Sequence, residues 1–173
     1  MIYIGALSTI GCGRTPLGDP FGTGGDDSTT LTPTPTPSGS ATPTPTAAPC
    51  GDCSAPTGFD SGLVKASVPV NSVAYDSGHK IFLCHDATGF YAMTSLCTHL
   101  QCDMGGPSGV YSASNLGGGF HCNCHGSNFF ADGSVKNGPA GSALFHYKVA
   151  IDPGQRIFID QGVIVAITCR CAG

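Results

Sequence analysis

Between Thr29 and Pro49 the chain reads TTLTPTPTPSGSATPTPTAAP. Alternating Thr-Pro removes the backbone donors that a helix or a strand ladder needs, so this tract has no place inside a compact fold. It favours an extended, polyproline-II-like rod, and at ~3.1 Å per residue the part from Thr32 to Pro49 reaches about 56 Å. The composition is typical of O-glycosylated stalks, with a bare spacer as the alternative. No Asn-x-Ser/Thr sequon is present, so any sugar would be O-linked to the Thr-Pro tract.

The tract divides the chain into residues 1–12, a Gly/Asp-rich then Thr-Pro linker over 13–49, and a domain over 50–173. The first piece, MIYIGALSTIG before Cys12, is uncharged and apolar. Three readings stay open for it. It is long enough for a signal-peptide core but lacks a basic start, and Thr-Ile-Gly-Cys loosely resembles a bacterial lipoprotein cleavage box, which would make Cys12 a lipidated first residue. Alternatively it is a short strand of the mature fold, or a strand that pairs with another copy at a sheet edge, giving a homo-oligomer.

Residues 50–173 have the short apolar runs of an all-β domain. Strands are expected at Leu63–Pro69, Lys80–His85, Gly89–Thr94, Gly119–Cys122, Leu144–Asp152, Arg156–Asp160 and Val163–Cys169. They are rich in Val, Ile, Phe and Tyr, and turns such as Asp76-Ser77-Gly78 and Asp152-Pro153-Gly154 separate them. The whole chain has 26 Gly, 13 Pro, no Trp and no Glu, with only 10% charged residues, which argues against a helical bundle. A net charge of −4 without a basic block argues against nucleic acid as a partner. No apolar run reaches the ~20 residues of a transmembrane helix. The expected architecture is an antiparallel β-sandwich or small barrel.

Ten cysteines in 173 residues point to an oxidising compartment, a metal site, or both. Two boxes stand out: Cys97-Thr98-His99-Leu100-Gln101-Cys102 and Cys122-Asn123-Cys124-His125-Gly126-Ser127. Each puts a Cys and a His close enough to ligate metal from one loop, and each holds one further Cys.

Cys-x-His followed by Cys-x-x-His, in the extended forms CTHLxC and CxCHGS, resembles the Rieske iron–sulfur signature of the high-potential branch. The resemblance covers roughly Val64 to Thr168. It implies a Rieske fold carrying one 2Fe-2S cluster, with Cys97 and Cys122 on one iron and His99 and His125 on the outer one. Replacing two thiolates by imidazoles raises such a cluster's potential far above that of an all-Cys cluster. The resemblance also implies a disulfide between Cys102 and Cys124, tying the two cluster loops together. Ionisation of the outer imidazoles would couple electron uptake to proton uptake. Around the cluster it places Leu100, a Ser127 hydroxyl donor, and a shielding proline loop containing Gly138 and Pro139. Phe129 stands where high-potential members carry a tyrosine donor. A potential below the quinol-oxidising members, but well above plant-type ferredoxins, is therefore expected. The 22-residue gap from His99 to Cys122 is longer than usual, and its Gly/Ser-rich insertion, Met104–Gly119, bears on access to the histidine edge.

A Cys₂His₂ zinc site is the competing reading, and an empty site the next. Zinc explains neither the second Cys in each box nor the Gly-Ser tail, and no ligand position is lost. His79, His85, His121 and His146 read as surface or strand residues. Cys12, Cys50, Cys53, Cys84, Cys169 and Cys171 allow up to three more disulfides in 15 connectivities. Cys50-x-x-Cys53 reads as a structural staple in preference to a redox pair, because no βαβ pattern surrounds it.

Function is then expected to be one-electron transfer outside the cytoplasm of a bacterium, with a redox protein or a quinol-type molecule as donor or acceptor. No catalytic residue is assigned, and the chain is read as a carrier or redox subunit rather than a complete enzyme. The alternative is a glycosylated structural subunit of an extracellular fibre or surface assembly.

Overall fold

The structure is a computed structural model that describes residues 50–172; the expectations for residues 1–12 and for the linker up to Pro49 lie outside them. The strands are β1 (Phe59–Val64), β2 (Ser72–Asp76), β3 (Ile81–Asp86), β4 (Gly89–Thr94), β5 (Gly109–Val110), β6 (Phe120–Cys122), β7 (Asn128–Phe129), β8 (Val135–Asn137), β9 (His146–Ile151) and β10 (Arg156–Val165). They form two antiparallel sheets. One has the order β1-β10-β9-β4-β3-β2, the other β5-β6-β7-β8.

Alternation along β3 and β4 explains how the layers stack. Phe82, Cys84, Tyr91 and Met93 point to a core shared with Cys97, Met104, Phe120, Cys122 and Phe129 of the cluster-loop side. Ile81, Leu83, Phe90 and Ala92 point the other way, into a core with Val149, Ile157 and Ile159 inside the curl of the larger sheet. Both faces of β3 and β4 are thus buried. Their sequences IFLCHD and GFYAMT are accordingly near-continuous apolar runs.

Several elements differ from the sequence expectation. Leu63–Pro69 is not one strand: β1 starts at Phe59 and a 3₁₀ turn covers Lys65–Ser67. There Ser67 Oγ donates to the Val64 carbonyl at 2.6 Å and competes with sheet pairing. β2 gave no strong apolar signal, yet it pairs with β3 along its whole length. The two strands expected at Arg156–Asp160 and Val163–Cys169 are one strand ending at Val165. The stretch between them, Gln161-Gly162, is absorbed in a register irregularity against β9 between Asp160 and Ile164.

Disulfides Cys50–Cys169 and Cys53–Cys171 bind the start of the domain to its end. Cys50 and Cys53 therefore serve as staples, not as a redox pair with each other. Cys84 is a free, fully buried thiol that burial pushes far above its ordinary pKa, so it acts as a core side chain. Among the described residues no helix is long and apolar enough to cross a membrane.

Candidate metal centre

Both boxes are closed by the same backbone device. In the first, Gln101 N–H donates to the Cys97 carbonyl at 2.8 Å, with Gln101 at φ 59°. In the second, Gly126 N–H donates to the Cys122 carbonyl at 2.9 Å, with Gly126 at φ 81°. Each loop is sealed at its base: Cys97 N–H to the Cys102 carbonyl at 2.8 Å, and Cys122 N–H to the Ser127 carbonyl at 2.9 Å. A five-residue turn of this kind holds a Cys inward at its first position and frees the residues at its tip.

The structure brings the four candidate donors together in two pairs, thiol with thiol and imidazole with imidazole. Cys97 and Cys122 are both 1% exposed and both reduced. Burial pushes the Cys122 thiol up, and the adjoining Cys97 thiol adds to this, while backbone N–H groups of Cys124 and His125 oppose it. Two thiols packed this way, with N–H groups aimed at one sulfur, gain strongly from a shared cation. The His99 and His125 rings meet edge to face with centroids 4.8 Å apart. His99 Nδ1 is buried with no hydrogen-bond partner, which leaves its lone pair free for a metal. His125 and Leu100 stand at the surface, Leu100 61% exposed.

A disulfide joins Cys102 to Cys124. The sulfurs of Cys102, Cys122 and Cys124 lie within 4.8 Å of one another, but the bridge leaves Cys122 the single thiolate donor of that trio. The bridge thus lies directly against the inner thiol and closes the gap between the loop tips.

A third loop backs the other two. Ser127 is fully buried, and its Oγ accepts from Ala140 N–H at 3.1 Å. Its own hydroxyl proton has no acceptor among the described residues. Gly138, at φ 111°, passes so close that a Cβ there would lie 2.5 Å from Ser127 Cα, and Pro139 follows on the exposed side. Phe129 is 2% exposed, in the same core as Cys97 and Cys122.

Two supporting residues had no clear signal in the sequence. Thr98 Oγ1 donates to the Ser142 carbonyl at 2.6 Å, pinning the first loop to the third. Asp103 collects Tyr75 Oη at 2.6 Å, Ser95 Oγ at 2.7 Å, Gly105 N–H at 3.0 Å and Lys80 Nζ at 3.1 Å. Burial works against its charge, but the Tyr75, Ser95 and Lys80 hydrogen bonds together hold its carboxyl below the usual range. It fixes the base of the first loop to β2, to the residue that follows β4 and to the β2–β3 turn.

The Met104–Gly119 insertion mostly serves the sheet. Val73 N–H donates to the Ala113 carbonyl and Leu116 N–H to the Asn71 carbonyl, so it covers the edge strand β2. Only its first part borders the second box, through Asn123 N–H to the Ser108 carbonyl at 2.8 Å.

Comparison with known proteins agrees with this geometry. Residues 64–148 match the Rieske [2Fe-2S] domain family model. The cytochrome b6-f complex iron–sulfur subunit of Prochlorococcus marinus (strain MIT 9303) is 36% identical over 76 residues, covering 44% of this chain and 38% of that protein. The ubiquinol-cytochrome c reductase iron–sulfur subunit of Cereibacter sphaeroides is 32% identical over 86 residues, covering 49% and 41%. The chain spans well under half the length of these curated relatives. A solved plasma membrane Rieske protein of Synechocystis PCC 6803 superposes with TM-score 0.41 at 24% identity, over 62% of this chain and 99% of that one. The strand architecture and the family match together define an iron–sulfur domain. Residues 64–148 are a Rieske [2Fe-2S] domain, and the cofactor it implies is a Rieske 2Fe-2S cluster.

Proposed function

We propose that the chain is an extracytoplasmic one-electron carrier, in which Cys97 and Cys122 hold the inner iron and His99 and His125 the outer one. The observation that carries this assignment is two buried, reduced thiols on two loops that a disulfide ties together and whose His99 and His125 rings meet. When bound, the cluster supplies a single-electron couple whose potential the two imidazoles raise. The remaining work belongs to this chain. Ser127, at the end of the second box and with its hydroxyl proton unspent, is the donor offered to the cluster. Phe129 supplies an apolar wall and no donor, in support of a potential below the quinol-oxidising relatives. Exposed His125 and Leu100 form the face that meets a redox protein or quinol-type molecule. A ring nitrogen left on that face can take up a proton with the electron.

Placement outside the cytoplasm is supported by three disulfides in a domain of this size. The domain boundary near Cys50 is supported by the staples that begin there. Iron and acid-labile sulfide analysis, with paramagnetic resonance of the dithionite-reduced protein, tests the assignment. The expected result is two irons and two sulfides per chain with the signal of a His-ligated cluster. One zinc per chain and no iron sinks it. A His99→Cys variant should keep a cluster while its potential drops and its dependence on alkaline pH weakens.

A further inference from the structure

The bridge between the cluster loops has a thiol beside it. The sulfurs of Cys102, Cys122 and Cys124 lie within 4.8 Å of one another; Cys102 and Cys124 are bonded, and Cys122 is reduced. Cys84 and Cys97, the other free thiols among the described residues, stand outside that group. A disulfide is opened when a thiolate attacks one of its two sulfurs, and no outside oxidant or reductant is consumed when attacker and bridge belong to one chain. Cys122 is placed for such an attack.

A sulfur held by iron is not free to attack. In the domain without a cluster, before insertion or after loss, that restraint is gone. The two sulfurs of the bridge are then unequal targets. Attack on Cys124 would close a ring across the single residue Asn123, and would leave the freed thiol on half-buried Cys102. Attack on Cys102 closes a loop almost as long as the native one, so chain entropy does not oppose it. It also moves the unpaired sulfur from Cys122, which is buried, to Cys124, which is exposed and hydrated. Asn123, Cys124 and His125 are all exposed, so the leaving sulfur has room to swing out.

We infer that Cys122 is the attacking thiol of an exchange that cluster occupancy controls: without the cluster the bridge moves from Cys102–Cys124 to Cys102–Cys122, and Cys124 becomes an exposed free thiol. The Cys122–Cys102 bond forms as the Cys102–Cys124 bond breaks. The proton that leaves Cys122 ends on Cys124, with no net change in oxidation. The new bridge keeps the two loops tied and shields an inner ligand sulfur from irreversible oxidation. It reverses when iron and sulfide draw Cys122 back as a thiolate. The inference rests on the assignment of Cys122 as an iron ligand.

The test starts from full-length protein whose two irons have been confirmed. One half stays loaded; the other is stripped by a chelator, without oxygen and without a thiol reductant. Both are treated with N-ethylmaleimide under native conditions and digested without reduction, and mass spectrometry identifies labelled residues and bridged peptides. In loaded protein Cys124 should stay bonded to Cys102. In stripped protein Cys124 should be labelled at least about tenfold faster, with Cys102 bonded to Cys122. A Cys122→Ser variant, given the same chelator and a matching amount of sulfide, should keep the Cys102–Cys124 bridge, which separates exchange from loosening of the loops. A stripped wild type that retains Cys102–Cys124 overturns the inference, and so does labelling of Cys124 in Cys122→Ser, which would give the attack to another sulfur. Neither result touches the iron assignment, which is established on the starting material. Equal labelling before and after stripping overturns control by the cluster and removes Cys122 from the ligand set.

Discussion

His146 should make the domain lose stability on mild acidification. Its side chain is 2% exposed, stacks on Tyr91 with ring centroids 5.4 Å apart, and shares Nε2 with the Asp132 carbonyl at 2.9 Å. That carbonyl accepts a proton from Nε2–H, so protonation would occur at Nδ1, which is buried without a partner. Burial is the main cause that drives its pKa down to about 4; the Asp132 carbonyl opposes it, Arg170 adds to it, and the Asp132 carboxylate again opposes it. An unfolded imidazole titrates near 6.5, so between pH 6.5 and 4 the unfolded chain binds a proton that the native one refuses. The stability is fully present above pH 6.5 and falls as pH drops towards 4, by about 3 kcal/mol in all. For a domain of this size that is a fall in Tm on the order of 10 °C. The assay is urea or thermal unfolding of wild type and His146→Gln across pH 7.5 to 4, with cluster absorbance followed in parallel. Gln keeps a donor for the Asp132 carbonyl but cannot charge, so its lower starting stability should decline far less over this window. Other histidines contribute equally to both proteins and cancel in the difference. Parallel decline of the two curves would refute the reasoning.

Three further outcomes are expected. Ser127→Ala removes the hydroxyl donor at the end of the second box and should lower the reduction potential by roughly tens of millivolts, whereas Phe129→Tyr should raise it by a similar amount; protein-film voltammetry reads both, and no change in either direction would place these side chains outside the cluster's reach. Cys102→Ser opens a loop with a sequence separation of 22 and should cost about 3 kcal/mol, seen as a lower urea midpoint and faster cluster loss. Gly138→Ala forces a Cβ against Ser127 Cα at a φ of 111°, so the third loop must withdraw; the cost should be on the order of 1–3 kcal/mol together with bleaching of the cluster, and a normal melting curve would show the loops to be independent.

Legibility followed the range of the forces involved. The two boxes were readable because every donor in them lies within six residues and the chemistry demands particular side chains. β3 and β4 were readable because burial on both faces leaves an unbroken apolar run. β5, β7 and β8 are two or three residues long and leave no period to detect. β2 was hidden for a different reason. Its order comes from β3 on one side and from the Ala113 carbonyl of a distant insertion on the other. The same holds for Asp103, whose partners Tyr75, Lys80 and Ser95 come from three places in the sequence.

The pairing of the outer cysteines shows where spacing stops being informative. Cys50-x-x-Cys53 has the spacing of a redox motif, and nothing local to it rules that out. What decides is that β1 and β10 are neighbours in one sheet, which brings residues 50–53 beside 169–171. The first bridge to form closes a loop with a sequence separation near 119, worth about 5 kcal/mol in chain entropy. The second then closes only a small ring and adds less. Its value lies in position: with both bridges formed, a pull on the tether is carried to Cys169 and Cys171 without passing through β1.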